Sequence, residues 1–245
     1  MALQWTTTSA ASEEHGVKML IHAGSGAGKT MLCATAPRPV VISAEAGLLS
    51  LSKRNIERVY GVAVPHISYE IHVIQVTTVD QLIEAFNWFA NPLNKVREHF
   101  STICLDSITE IAEVVLANAK ATASDPRQAY GTLIERMLDV IKKFRDLPGF
   151  HVYFSAKMEP AKDETSGITR FGPMMPGKAL GPQLPYLFDE VFHLGIGQTQ
   201  QGQKYRYLRT DQDLQYAAKD RSGSLSEIEK PDLTYLIQKI TGVTA

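Results

Sequence analysis

The sequence predicts an α/β fold, a mainly parallel sheet with helices on both faces and an antiparallel strand pair toward the C-terminus. Three observations lead there. Apolar runs at 17–22, 40–43 and 102–106 are short and nearly continuous, as strands buried on both faces are. Helix-compatible stretches lie between them, the order of a βαβ chain. The first run leads directly into Ala23-Gly24-Ser25-Gly26-Ala27-Gly28-Lys29-Thr30, a glycine-rich loop that a helix-compatible run follows.

That loop carries the first chemical implication. Its glycines let the backbone turn tightly and aim successive N–H groups at phosphate oxygens. A helix opening at the loop adds its own unbonded N–H groups and a positive dipole end. In this pattern Lys29 reaches the β- and γ-phosphates and the Thr30 hydroxyl ligates Mg²⁺. Ala23, Gly24, Ser25, Gly26, Ala27, Gly28, Lys29, Thr30 and Met31 are therefore the cofactor-binding candidates. The first position of the pattern is alanine rather than glycine, a small departure away from the glycines nearest the phosphates. The plain alternative is a glycine-rich turn with a chance Lys-Thr. The strand–loop–helix context favours a nucleoside triphosphate.

The remaining elements follow in order. Residues 1–16 are polar and read as a loose arm ahead of a single domain at 17–245. A strand at 40–43 ends at Ala44-Glu45, and 46–70 gives no clear pattern. A strand at 72–76 precedes a capping box of Thr78 and Gln81. Val79, Leu82, Ile83 and Phe86 then mark a helix stopped by Asn91-Pro92. The 102–106 strand ends on Asp106. Ser107 and Glu110 form a second capping box, with Ile108, Ile111 and Val115 on one helix face. Residues 121–130 are polar, contain Pro126 and read as a loop. Ile134, Met137, Leu138, Ile141 and Phe144 mark an amphipathic helix ended by Pro148-Gly149, and 150–156 alternates as the next strand. Four glycines and four prolines predict a long loop over 158–182. A strand near 191–196 pairs across a turn with one at 204–210. Pro231, Leu233, Leu236, Ile237 and Ile240 predict a closing helix.

Bulk properties narrow the class. A chain of 245 residues can bury a core without disulfides or structural metals. Its net charge of −1 advertises neither nucleic acid nor membrane, so any such surface must be local. Cys33 and Cys104 fall in apolar elements without metal-ligand spacing, which points to packing in a reducing compartment. The N-terminal segment lacks the pattern of a secretory signal, and no apolar run reaches membrane-spanning length. A cytoplasmic protein with no membrane partner is expected.

Ligands of such sheets bind at the carboxyl ends of the strands. The residues there are the loop, Glu45, Asp106 and Lys157. Asp106 closes an apolar strand, the usual context for a carboxylate that holds Mg²⁺ beside a triphosphate; the plain alternative is a strand-end cap. Thr30 and Asp106 are thus the metal candidates. Ser107, not glutamate, follows Asp106, so a catalytic base must come from elsewhere. Glu45 ends the strand after the phosphate-loop helix and can orient an attacking water; the plain alternative is a solvated loop acid. Glu110 is the rival, but its capping-box spacing already accounts for it.

Phosphate loop, glutamate after the next strand, an apolar strand ending Asp106-Ser107 and Lys157 ending the following strand resemble the RecA-like ATPase core. The stretches Pro176-Gly177-Lys178-Ala179-Leu180-Gly181-Pro182 and Lys219-Asp220-Arg221-Ser222-Gly223 look more specifically like the short phage nucleotide-binding, single-strand annealing proteins of that class. The resemblance covers about 17–240. It implies ATP with Mg²⁺ as cofactors, single-stranded DNA as partner and a homo-oligomer with ATP between subunits. It also implies a phage-encoded protein acting in the host cell. Segments near 121–130 and 158–182 would line a DNA channel, the second through Lys162, Arg170, Phe171 and Lys178. Lys157 joins Glu45 among the catalytic candidates. Lys219 and Arg221 would act on the γ-phosphate of a neighbouring subunit, their plain alternative being a solvated charge run.

Two other functions compete. A small-molecule P-loop kinase needs an arginine-rich lid, and the long loop offers Arg170 alone. A nucleotide-gated assembly module with little hydrolysis fits Ala23 and the missing Asp-Glu pair.

Overall fold

The computed structural model describes Trp5, Thr7 and residues 15–45, 48–162 and 167–243. Strand β1 (Lys18–His22) runs into the phosphate loop and helix α1 (Lys29–Leu32), which a 3₁₀ turn at Cys33–Thr35 continues. Then come β2 (Pro39–Ser43), α2 (Lys53–Tyr60), β3 (His72–Gln75), α3 (Val79–Ala90), α4 (Val96–His99) and β4 (Thr102–Leu105). Two helices, α5 (Ile108–Thr122) and α6 (Pro126–Arg145), precede β5 (His151–Ala156). A hairpin of β6 (Met158–Lys162) and β7 (Thr169–Pro173) follows, then α7 (Leu184–Leu187), β8 (Glu190–Gln198), β9 (Lys204–Arg209), β10 (Lys219–Asp220), β11 (Ile228–Glu229) and α8 (Leu233–Thr241).

The main sheet has the order β11-β9-β8-β1-β5-β4-β2-β3, with β10 also on β8. From β8 to β3 neighbouring strands are parallel. β9, β10 and β11 join antiparallel, as the sequence predicts for the 191–210 pair. Alternate residues of each central strand enter opposite layers, the consequence of a two-residue side-chain period. Leu20, Ile42, Leu105 and Phe154 meet α3, α5 and α6 on one face. Met19, Ile21, Val41, Cys104 and Tyr153 meet Leu32, Ile56 and Leu236 on the other. Both layers are lined by buried apolar side chains, so the strands read as continuous apolar runs. One strand, β5, lies between β1 and β4. This is the α/β fold expected, a mostly parallel sheet covered by helices on both faces with antiparallel strands at one end.

Three segments differ from expectation. The 158–182 stretch is not one loop, because β6 and β7 pair from Met158 opposite Pro173 to Lys162 opposite Thr169. Pro160 is tolerated because it stands opposite Phe171, whose N–H and carbonyl turn away from β6 to Gln215 and Ala217, so no ladder bond is asked of the proline. The 121–130 loop shrinks to 123–125: Asp125 caps α6 by accepting from the Arg127 N–H at 2.8 Å, and Pro126 stands in the first turn, where its missing N–H costs nothing. The unassigned 46–70 stretch contains α2, whose Ile56 is fully buried. Most of the expected N-terminal arm, and Asp163 and Glu164, lie outside the described residues; Trp5 is exposed. Among the described residues no helix is long and apolar enough to cross a membrane.

Candidate nucleotide site

The site forms where β1 ends. Gly26 and Gly28 turn the chain with φ of 73° and 111°, values that favour glycine. A Cβ built on Gly24 or Gly26 would meet no atom within 4 Å, so the loop faces open space. The ring of Tyr153 on β5 supports the loop from below, its hydroxyl donating to the Lys29 carbonyl at 2.9 Å. Tyr60 on α2 donates to the Met31 carbonyl at 3.2 Å. Both anchor α1 without touching its free N–H end.

Lys29 folds back on its own loop, its Nζ donating to the carbonyls of Ala23 and Gly24 at 3.0 and 3.1 Å. Burial lowers its affinity for the proton, while the negative charges of Asp106 and Glu45 oppose that shift and Lys157 reinforces it. Lys29, Asp106, Glu45 and Lys157, far apart in sequence, therefore share one electrostatic site. Asp106 is almost fully buried, and the Ser155 hydroxyl of β5 donates to its Oδ1. The Asp106–Ser107 peptide bond is cis. Glu45 stands exposed at the mouth. Its carboxyl is held above the usual glutamate range, first by lost hydration and then by Asp106 and Glu110.

Glu110 has a larger part than its capping box suggested. Ser107 Oγ accepts from the Glu110 N–H at 3.3 Å, as expected, but the Glu110 carboxylate pairs with Lys157. That bond raises the Lys157 pKa and fixes the residue that ends β5. Thr109 adds a second tie, accepting from the Lys157 N–H at 3.0 Å.

A nucleoside triphosphate fits this set. The loop offers N–H groups over open space, and the Lys29 ammonium has only neutral carbonyls as partners. Thr30 and Asp106 supply a hydroxyl and a carboxylate, a sparse donor set suited to Mg²⁺, which takes its other ligands from water and phosphate.

Other candidates stand elsewhere. Lys219 lies opposite Val191 on β8, with Arg221 beyond it toward the amino end of the sheet, away from the phosphate loop. Lys219 donates to the carbonyls of Pro185 and Phe188, and Arg221 pairs with Asp189 at 2.7 Å. Neither reaches the nucleotide site of its own chain. Arg170 and Phe171 are in the stem of the β6–β7 hairpin. Arg170 Nε donates to the Asp213 carbonyl at 2.9 Å, and Phe171 packs on Tyr216. Lys162 and Lys178 are exposed.

Sequence reasoning missed Ser155, Tyr153 and Arg206, which donates to the Ala27 carbonyl. For the first two a signal existed: a hydroxyl on a strand buried on both faces needs a partner, and here that partner is the site.

The fold and the site define a P-loop ATPase core. Residues 15–222 match the AAA domain family, and the chain belongs to that family. The solved structure of the KaiC-like protein PH0186 from the hyperthermophilic archaeon Pyrococcus horikoshii OT3 is similar over 79% of this chain and 78% of that one. The identity is 13% and the TM-score 0.38. No curated protein sequence matches the chain.

Proposed function

We propose that the chain binds and hydrolyses ATP with Mg²⁺ and does so as a homo-oligomer on single-stranded DNA, promoting annealing. The convergence of Lys29, Asp106, Glu45 and Lys157 on an open phosphate loop carries the hydrolytic part. Lys29 and the loop N–H groups would hold the β- and γ-phosphates; Thr30 and Asp106 would hold Mg²⁺, which would supply charge neutralisation there. Ser155 orients Asp106 through its hydrogen bond. Glu45, with its raised pKa, accepts a proton from the attacking water more readily than an ordinary surface glutamate.

The DNA part rests on the resemblance of 176–182 and 219–223 and on one observation. The β6–β7 hairpin begins at Met158, directly after Lys157, so its near end adjoins the Lys157–Glu110 pair. Lys162, at the end of β6, and Lys178, beyond the end of β7, are exposed cations of the 158–182 stretch. Lys219 and Arg221 are assigned to the neighbouring subunit's γ-phosphate, since both stand at the far end of the sheet from their own site.

The test is ATP turnover with and without single-stranded DNA. Stimulation by DNA, lost in the Lys162→Glu, Lys178→Glu double variant and weakened by salt, is the expected result. Turnover indifferent to DNA overturns the DNA part. Phosphorylation of a small acceptor in place of water selects the kinase reading, and absent turnover the assembly module.

A further inference from the structure

Arg206 lies on β9, at a position that no motif singles out. Its Nε donates to the Ala27 carbonyl at 2.6 Å. A Cβ on Gly28 would come within 3.0 Å of that same Nε, so the guanidinium lies directly against the turn where the loop becomes a helix. Among the described residues the guanidinium has no carboxylate partner and its terminal nitrogens make no hydrogen bond. An arginine fixed at one edge with its fork open is a half-made anion site, because guanidinium geometry matches phosphate oxygens in pairs.

The sheet order fixes the side from which it approaches. β9 and β8 lie on one side of β1, whereas β5, β4 and β2, which carry Lys157, Asp106 and Glu45, lie on the other. The charges that suit the γ-phosphate and its metal are therefore across the loop from Arg206.

We propose that Arg206 is a nucleotide ligand in its own subunit, contacting the part of the phosphate chain that ATP and ADP share. The proposal rests on the phosphate-loop reading and deepens it. The hairpin β8–β9 thereby becomes one wall of the site, and Gly28 is required twice, for its positive φ and for the space the guanidinium occupies.

Calorimetric titration of the full chain with MgATP and with MgADP tests this, on wild type, Arg206→Ala, Arg206→Gln, Arg206→Lys and Lys29→Ala. Arg206→Gln keeps an N–H donor for Ala27 but no charge; Arg206→Lys keeps the charge without the fork. Alanine and glutamine are expected to weaken both nucleotides about 10- to 100-fold, the worth of a charged hydrogen bond, with lysine retaining more. Wild-type affinity in Arg206→Ala, or in Arg206→Gln, overturns the proposal, the second by showing that Arg206 only braces Ala27. A loss confined to ATP overturns the placement on shared phosphates. Unchanged binding in Lys29→Ala would be the separate failure of the phosphate-loop reading.

Discussion

His22 Nε2 donates to the main-chain carbonyl of Ala217 at 2.7 Å, a bond between residues 195 positions apart. His22 is the last residue before the phosphate loop. Burial pushes its pKa down to about 4, so the ring is neutral at physiological pH. The Ala217 N–H in turn donates to the Phe171 carbonyl at 2.9 Å, and the Phe171 N–H to Gln215 at 2.7 Å. His193, stacked on Tyr216 with ring centroids 3.7 Å apart, closes the group. The floor of the nucleotide loop and the stem of the β6–β7 hairpin are thus held by one short segment, 215–217.

Replacing His22 by leucine should cost about 1–3 kcal/mol, because the half-buried Ala217 carbonyl loses its donor. His22→Gln, which can present an amide N–H in place of Nε2, should recover part of that. Urea unfolding of the two variants checks it. Equal stability of His22→Leu and wild type would show that the bond contributes nothing.

Glu45→Gln should leave ATP bound and slow its turnover by about 10²–10⁴, the usual contribution of a general base. Because the Glu45 pKa is raised, wild-type turnover should climb with pH through a point above the ordinary glutamate range, and the variant should lack that limb. Glu110→Gln is the control. A larger loss there than in Glu45→Gln would transfer the role to Glu110.

Glu190 predicts a pH-dependent stability. It is buried at the amino end of β8, its Oε1 accepting from the Ser222 N–H at 3.2 Å. Burial, then the charge of Asp220, raises its pKa to about 8. Asp220 itself is held low: burial opposes this, but bonds from Ser222, Leu225, Glu190 and Gly223 prevail. A carboxyl whose folded pKa exceeds its unfolded one stabilises fully below the unfolded value, near 4.5, and loses that contribution as pH rises toward 8. The slope approaches about 1.4 kcal/mol per pH unit within that window. Glu190→Gln should flatten it and melt higher than wild type at pH 8.5. A wild-type melting curve that is flat from pH 5 to 8, and matches the variant, would rule out the shift.

Much of the fold was legible because it depends on local pattern. The apolar runs, the phosphate loop and the capping residues Thr78 and Ser107 each announce an element within a few residues, and the structure has them. Asp106 was legible for the same reason, as a carboxylate ending a strand. What escaped depends on partners distant in sequence. Ser155 matters only because β5 lies beside β4, and Arg206 only because β9 comes within reach of the loop. The hairpin at 158–173 was hidden by its prolines and glycines, which mark turns but do not say that the residues between them pair. Glu110 shows the limit of motif logic, since the spacing that accounts for its backbone says nothing about where its carboxylate goes.

The interposed strand β5 has a consequence for the order in which the molecule can assemble during synthesis. β1 pairs with β5 and β8 and with none of β2, β3 or β4. The Val17 N–H, for example, finds its partner in the His151 ring, 134 residues later. A nascent chain that has reached the end of α6 can join β2, β3 and β4, yet its phosphate-loop strand still has two bare edges and Asp106 has no Ser155. Such unpaired edges are what partner chains and chaperones seize. The site around the phosphate loop is therefore complete only once β5, carrying Tyr153 and Ser155, stands between β1 and β4, and its β8–β9 side comes later still.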